Sequence, residues 1–279
     1  MDGLEDKLKR LEELLESFDT VALGYSGGVD STFLAAVLAR CMPGRALLVH
    51  MDTPLVATPE RESFEREAHG FGLPVETIAL NSFDDAEIAA NPPDRCYFCK
   101  RADFERIAAA AHEQGFEIVI DGSNADDRSD ERPGMRAMRE LGVRSPLRET
   151  GWHKVEEREL LRAWGLAVWN MPPGACLATR IPAGEPLTRG KIELVRACED
   201  HLHGLGLSQV RARLVEGQVR VEAAPRDLEL LARLGGAAAD EMGRVPLPAS
   251  VIEAFRSFGA QDIRPVATPY RYGDTSRRA

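Results

Sequence analysis

Apolar residues recur at spacings of three and four from the first turn of the chain: Leu4, Leu8, Leu11, Leu15 and Phe18, with charges between them. That period predicts an amphipathic helix packed on the body of a fold. The period then changes. Thr20–Tyr25 (TVALGY) is an apolar run of strand length, SGGVDS has turn chemistry, and Thr32–Cys41 returns to helical spacing. The alternation repeats with strand Arg45–Met51, helix Pro59–Phe71, strand Val75–Leu80, helix Arg101–Glu113 and strand Phe116–Asp121. Apolar strands separated by helices predict a parallel α/β sheet with right-handed crossovers, whose ligands sit beyond the carboxyl ends of the strands.

After Trp169 the pattern breaks at MPPGACLATRIPAGEP, where prolines and glycines can continue neither a helix nor a central strand. We expect a domain boundary there, with one domain over residues 1–170 and a smaller α/β domain over 171–279. The second contains a helix around Lys191–Leu205, a hairpin Gln209–Ala223 turning at Glu216-Gly217, and shorter helices around Arg226 and Val251. The hairpin alternates strictly. Val210, Ala212, Leu214, Val219 and Val221 share one face, and Arg211, Arg213, Arg220 and Glu222 the other. A two-residue turn sets Arg213 opposite Arg220 and Arg211 opposite Glu222. Opposed like charges destabilise a sheet by up to about 1 kcal/mol unless an anion lies between them, so this face predicts a phosphate site.

Composition narrows the class. The 279 residues are 44% apolar and 29% charged, without low-complexity tracts, which excludes disorder, collagen and coiled coil as the main architecture. No apolar run approaches the roughly 18 residues of a membrane span, and the charged N-terminal helix lacks a signal peptide's apolar segment. A cytoplasmic protein without membrane contact is expected. The net charge of −10 is uneven: residues 1–180 hold 21 Lys/Arg against 32 Asp/Glu, and residues 181–279 hold 14 against 13. No basic face for nucleic acid is expected from that balance. Five cysteines, an odd number, favour metal or thiol chemistry over a disulfide framework.

Ser26-Gly27-Gly28-Val29-Asp30-Ser31 joins a predicted strand to a predicted helix, where unpaired backbone N–H groups and the helix dipole favour an anion. It is neither the dinucleotide fingerprint nor a Walker loop. The six residues resemble the SGGxDS signature of the PP-loop ATP pyrophosphatases, which split ATP into AMP and pyrophosphate to adenylate a substrate. Two later segments are similar to that family: IVIDGSNADD, with Asp121, Gly122, Asn124 and Asp126, and SPLRETGWHKVEERELL, in which Lys154 would face phosphates.

Cys96 and Cys99 form C-x-x-C in NPPDRCYFCK, read as lying just before a helix, and Cys176 lies in PPGACLATR. The residues alone leave zinc, a redox dithiol and an iron–sulfur cluster open. Zinc wants four ligands, a dithiol needs only the pair, and a 4Fe–4S cluster can be held by three cysteines with one iron left for substrate. Cys41 and Cys198 fall on apolar helix faces and read as core.

ACLATRIP after a PP-loop domain, taken with SGGVDS, DGSNADD and the hairpin, resembles over nearly the full chain the LarE family of sulfur transferases, which mature the nickel-pincer cofactor of lactate racemase. The resemblance implies adenylation of a carboxylate of pyridinium-3,5-biscarboxylic acid mononucleotide, followed by replacement of AMP with sulfur. It implies ATP bound at Ser26, Gly27, Gly28, Val29, Asp30, Ser31, Met51, Gly122, Asn124 and Lys154, with Mg2+ helping the SGGVDS turn to hold the triphosphate. Cys176 matches the family's sulfur-donating cysteine, which in one subclass gives up its own sulfur and becomes dehydroalanine. Cys96, Cys99 and Cys176 match a second subclass, in which the three hold a 4Fe–4S cluster carrying sulfide. Arg211 and Arg213 match the family's phosphate-binding arginines, with Glu222 beside them. Arg180 would steady the substrate carboxylate or AMP, and Glu199 matches an acidic residue near metal and phosphate. A homo-oligomer, and contact with upstream and downstream cofactor-maturation enzymes, are also implied. Rival readings are a PP-loop tRNA thiolase, an ammonia-using ligase of the same fold, and a non-catalytic sensor of ATP and a cluster.

Overall fold

The computed structural model describes residues 2–127 and 133–270. In chain order the elements are α1 (Asp2–Glu16), β1 (Val21–Gly24), α2 (Val29–Cys41), β2 (Ala46–Asp52), α3 (Thr58–Glu67), β3 (Val75–Ala79), α4 (Ala86–Ala89), α5 (Arg95–Glu113), β4 (Ile118–Ile120), α6 (Pro133–Glu140), α7 (Pro146–Glu149) and α8 (Lys154–Ala163). A short 3-10 turn, Leu177–Arg180, precedes α9 (Arg189–Gly204), β5 (Val210–Val215), β6 (Gln218–Ala223), α10 (Pro225–Gly235), β7 (Val245–Pro246), α11 (Ala249–Ser257) and β8 (Asp262–Pro269).

These elements form two units. The first gathers the residues up to Thr53 with Pro59–Asn81 and Asp94–Gly174; the second gathers Pro54–Thr58, Ser82–Pro93 and Ala175 onward. In the first, four strands in the order β3-β2-β1-β4 pair in parallel throughout. Leu23 and Leu48 join one apolar layer with Phe33, Leu34 and Trp152, while Ala22, Leu47 and Val49 join another with Phe104 and Ile107. Both faces of β1 and β2 are thus covered, which is why those strands read as unbroken apolar runs.

The second unit has a mixed sheet in the order β5-β6-β8-β7. The hairpin takes the expected register, with Arg213 opposite Arg220 and Arg211 opposite Glu222. Glu216 and Gly217 both have positive φ, 51° and 79°, the two-residue geometry that matches strand twist. Strand β6 then pairs in parallel with β8, which pairs in antiparallel with β7. Helix α9 lies against β5, burying Val195, Cys198 and Leu202.

Two sequence expectations change. The C-x-x-C pair does not precede its helix: α5 begins at Arg95, so Cys96 and Cys99 occupy its first turns. Pro92, Pro93 and Asp94 are the start signal that moves the boundary. Likewise Val29, Asp30 and Ser31 belong to α2, because Gly28 already holds the N-cap position in extended conformation. Cys198 is fully buried and Cys41 half-buried against the core, as their apolar faces predict; burial pushes the first thiol up to about 12 and the second to about 11.

Candidate functional site

In the first unit, residues 26–31 run from the carboxyl end of β1 into α2. The Ser26 and Ser31 hydroxyls pair at 3.0 Å, Ser31 Oγ donates to the Gly28 carbonyl at 3.2 Å, and Gly28 N–H donates to Ser26 Oγ at 3.3 Å. The turn is therefore braced by its own hydroxyls. Gly27, at φ 78°, would set a Cβ 2.6 Å from the Glu60 carbonyl, so no other residue fits. Gly122, just past β4, would set a Cβ 2.9 Å from the Ser31 nitrogen. A side chain there would fill the space in front of the first turn of α2.

The segment after β4 ties this turn to α8. Asn124 Nδ2 donates to Asp30 Oδ1 at 2.9 Å and to Glu157 Oε1 at 3.0 Å. Lys154 Nζ reaches Asp30 Oδ2 at 3.0 Å. Asp126 accepts from the Lys154 backbone N–H at 2.8 Å and pairs with His153 Nδ1 at 2.7 Å, an interaction that holds its carboxyl below the usual range. Behind them Asp121 accepts from Ser123 and Ser145. Met51 lies in β2 beside Ile78 of β3 and is buried. The unit thus brings Asp30, Asn124 and Lys154 together beside the turn.

Glu157 was not expected from the sequence. It is fully buried on α8, and its carboxyl is pushed up to about 9, first by burial and then by hydrogen bonding to Asp30 and the charge of that residue. KVEEREL reads as a solvated charged turn. The available signal is that Glu157 shares the inward stripe of α8 with Leu161, a position an apolar residue would normally hold.

In the second unit Cys176 is exposed at the start of the 3-10 turn. Arg180 closes that turn from inside, 1% exposed. Its Nε and Nη2 pair with the two oxygens of Glu199 at 2.7 and 2.8 Å. Nη1 donates to the carbonyls of Ala175 at 2.9 Å and Cys176 at 3.3 Å. Glu199 Oε1 also accepts from Ala212 N–H of β5 at 2.8 Å. Glu199 is thus buried on α9 rather than exposed.

The arginine face of the hairpin is covered too. Arg211 is buried, donates to the Val210 carbonyl at 2.7 Å and lies over the Tyr270 ring at 5.6 Å. Arg213 donates to the Thr179 carbonyl at 2.9 Å and pairs with Glu222 at 2.7 Å, while Arg220 turns to Gln218 at 3.0 Å. The opposition between Arg213 and Arg220 is thus relieved by separate acceptors, Glu222 and the Thr179 carbonyl for Arg213 and Gln218 for Arg220.

Cys96 is exposed and Cys99 half-buried on one face of α5, three residues apart. Among the described residues no group of three or more His, Cys, Asp or Glu side chains is gathered as a metal site. The pair fits two ligands of a cluster. No helix among the described residues is long and apolar enough to cross a membrane.

A parallel sheet with SGGVDS between its first strand and the following helix is the PP-loop fold, the class to which this protein belongs. It shares 27% identity with one component of the glutamine-hydrolysing GMP synthase of Methanococcus maripaludis, over 64% of this chain and 61% of that one. It is 36% identical to the uncharacterised protein slr1717 of Synechocystis sp., over 81% of this chain and 84% of the other. It is 32% identical to the pyridinium-3,5-bisthiocarboxylic acid mononucleotide synthase of Lactiplantibacillus plantarum, over 80% and 81%. The chain belongs to that synthase family, LarE. No family model matches it.

Proposed function

We propose that the chain is an ATP-dependent sulfur transferase: it adenylates a carboxylate of pyridinium-3,5-biscarboxylic acid mononucleotide and replaces AMP with sulfur, in nickel-pincer nucleotide biosynthesis. One observation carries this reading, the SGGVDS turn with Asp30, Asn124 and Lys154 beside it in a chain 32% identical to a bisthiocarboxylic acid mononucleotide synthase. Mg–ATP is the substrate of the first unit. The N–H groups opening α2 meet its phosphates, Lys154 offsets their charge, and Gly122 leaves the approach open; Met51 lies on the neighbouring strand. A substrate carboxylate oxygen attacks the α-phosphorus, the bond to the bridging oxygen breaks, and pyrophosphate leaves. The acyl adenylate then has a good leaving group where the carboxylate had none.

Sulfur arrives at the Cys176 turn. In the sacrificial route the Cys176 thiolate adds to the acyl carbon and expels AMP. Loss of the Cα proton then breaks the Cβ–Sγ bond, leaving dehydroalanine and a thiocarboxylate. In the other route Cys96, Cys99 and Cys176 would hold a 4Fe–4S cluster, which when bound would supply a renewable sulfide; Cys96 and Cys99 share one face of α5. Arg211 and Arg213, with Glu222, are assigned to the phosphate of the mononucleotide. Arg180 and Glu199 are assigned to hold the Cys176 turn. Residues 1–170 would then bind ATP, and residues 171–279 would bind substrate and assemble a cytoplasmic homo-oligomer that meets neighbouring maturation enzymes.

The test is anaerobic: reconstitute the protein with iron and sulfide, add Mg–ATP and the pyridinium mononucleotide, and follow pyrophosphate, iron content and intact mass. Thiocarboxylated product at unchanged polypeptide mass, lost in Cys96→Ala and Cys176→Ala, supports the cluster. Product with loss of the mass of hydrogen sulfide, and unaffected by Cys96→Ala, supports sacrifice of Cys176. Absence of pyrophosphate release sinks the proposal.

A further inference from the structure

The nucleotide turn of the first unit rests on an acid that the proposed reaction does not use. Glu157 projects from the first turn of α8 into the fully buried space behind Asp30. One carboxyl oxygen, Oε1, accepts from Asn124 Nδ2 at 3.0 Å, and the same amide donates to Asp30 Oδ1 at 2.9 Å. Oε2 is equally buried, and no donor is aimed at it. A carboxylate oxygen sealed from water without a donor is costly, whereas an O–H there can donate to Asp30, which shares the Asn124 amide with Glu157. Lys154 Nζ takes the second Asp30 oxygen at 3.0 Å from the solvent side.

The charged groups that reach Glu157 are Asp30 from α2 and Lys154 from its own helix, with the Asn124 amide from the segment after β4. Lys7 of α1 is engaged by Glu156 and His153 by Asp126, so neither offsets a charge on Glu157. A second carboxylate beside Asp30 would leave two negative charges around a single lysine. Burial and Asp30 both raise the affinity of Glu157 for its proton, in keeping with that geometry.

We infer that Glu157 is a positioning residue for nucleotide binding: as a neutral carboxylic acid it donates to Asp30, and with Asn124 it fixes the orientation of the Asp30–Lys154 pair at the phosphate turn. The inference rests on the reading of that turn as an ATP site. It makes nucleotide affinity depend on one buried proton. When that O–H ionises, the proton passes to solvent, the bond to Asp30 is lost, and two carboxylates repel each other at the mouth of the turn.

The experiment uses the full chain, with Mg–ATP binding by calorimetry and thermal unfolding both measured from about pH 6 to pH 10, a span that brackets an ionisation near 9. Wild type is expected to hold its affinity up to about pH 8 and then to lose about tenfold per pH unit above the ionisation. Glu157→Gln, whose amide can donate to Asp30 while its carbonyl accepts from Asn124, should bind within about threefold of wild type at neutral pH and lose the alkaline fall. Glu157→Leu fills the space without a donor and should bind at least about tenfold more weakly at neutral pH, with the deficit in affinity larger than its shift in unfolding temperature predicts. An alkaline fall unchanged in Glu157→Gln, or wild-type affinity in a folded Glu157→Leu, overturns the inference. A wild-type chain that binds no Mg–ATP at any pH overturns the nucleotide reading and the positioning role with it. In that case the unfolding curves still test the buried proton: wild type must lose stability with rising pH relative to Glu157→Gln, or the proton is refuted as well.

Discussion

Each unit supports a turn from behind with a buried glutamate, and the two glutamates face partners of opposite charge. Glu199 faces the guanidinium of Arg180 through two hydrogen bonds and accepts a third from Ala212 N–H, so a cation and a backbone donor meet it. Glu157 faces Asp30 and an amide, so it keeps its proton. The residue type is the same and the burial similar. What differs is the partner: a buried carboxyl is charged only where a cation or several N–H groups meet it. The Cys176 turn is thus braced by an ion pair, and the SGGVDS turn by an acid that faces another carboxyl.

Removing one half of the ion pair should have the largest effect. Arg180→Ala leaves a buried carboxylate and should cost about 3 to 5 kcal/mol in urea unfolding, with loss of sulfur transfer, whereas replacing both partners by apolar residues should cost much less. If the single and double variants unfold alike, the pair does not carry the turn. The second effect lies in the other unit. Because the Glu157 carboxyl is raised from its ordinary 4.5 to about 9, its contribution to stability is full below 4.5 and drains away as pH rises through 9. Glu157→Gln should therefore unfold increasingly above wild type between neutral pH and pH 9, and converge with it in mild acid; parallel curves would remove the contrast between the glutamates.

A smaller effect is expected at the hairpin. Glu222→Gln leaves Arg213 and Arg220 opposed without the 2.7 Å partner of Arg213, and should destabilise the second unit by about 1 kcal/mol, a loss that added phosphate reduces if anions bind there. Smallest is Asp126→Asn. It weakens an exposed contact with His153 and should lower stability by about 0.5 kcal/mol, readable as a small shift of the urea midpoint.

Much of the first unit is legible in the sequence because β1 and β2 are apolar on both faces, leaving runs such as VALG and ALLVHMD. The hairpin register is legible because Glu216-Gly217 permits one kind of tight turn. Strand β8 is not: DIRPVATP carries two prolines, is only partly buried, and pairs with a strand more than forty positions earlier in the chain. At the sites, the turn residues and cysteines stand out by motif. The roles of Arg180, Glu199 and Glu157 do not, since a buried charge is identified by what faces it in three dimensions. ATRIP and KVEER look equally like solvated surface.

The division of the chain has a consequence for the order in which it can fold as it is made. Pro54–Thr58 and Ser82–Pro93 belong to the second unit although most of the first is translated after them. Leu55 offers its carbonyl to Leu177 N–H, Ala89 to Leu187 N–H, and the Asn91 amide donates to the carbonyls of Pro182 and Glu185. None of these partners exists until residues 177–187 have been made. A nascent chain ending at Gly174 can complete the parallel sheet, but it carries two early segments awaiting their hydrogen-bond partners, and those are the places where a protease or a chaperone would find it.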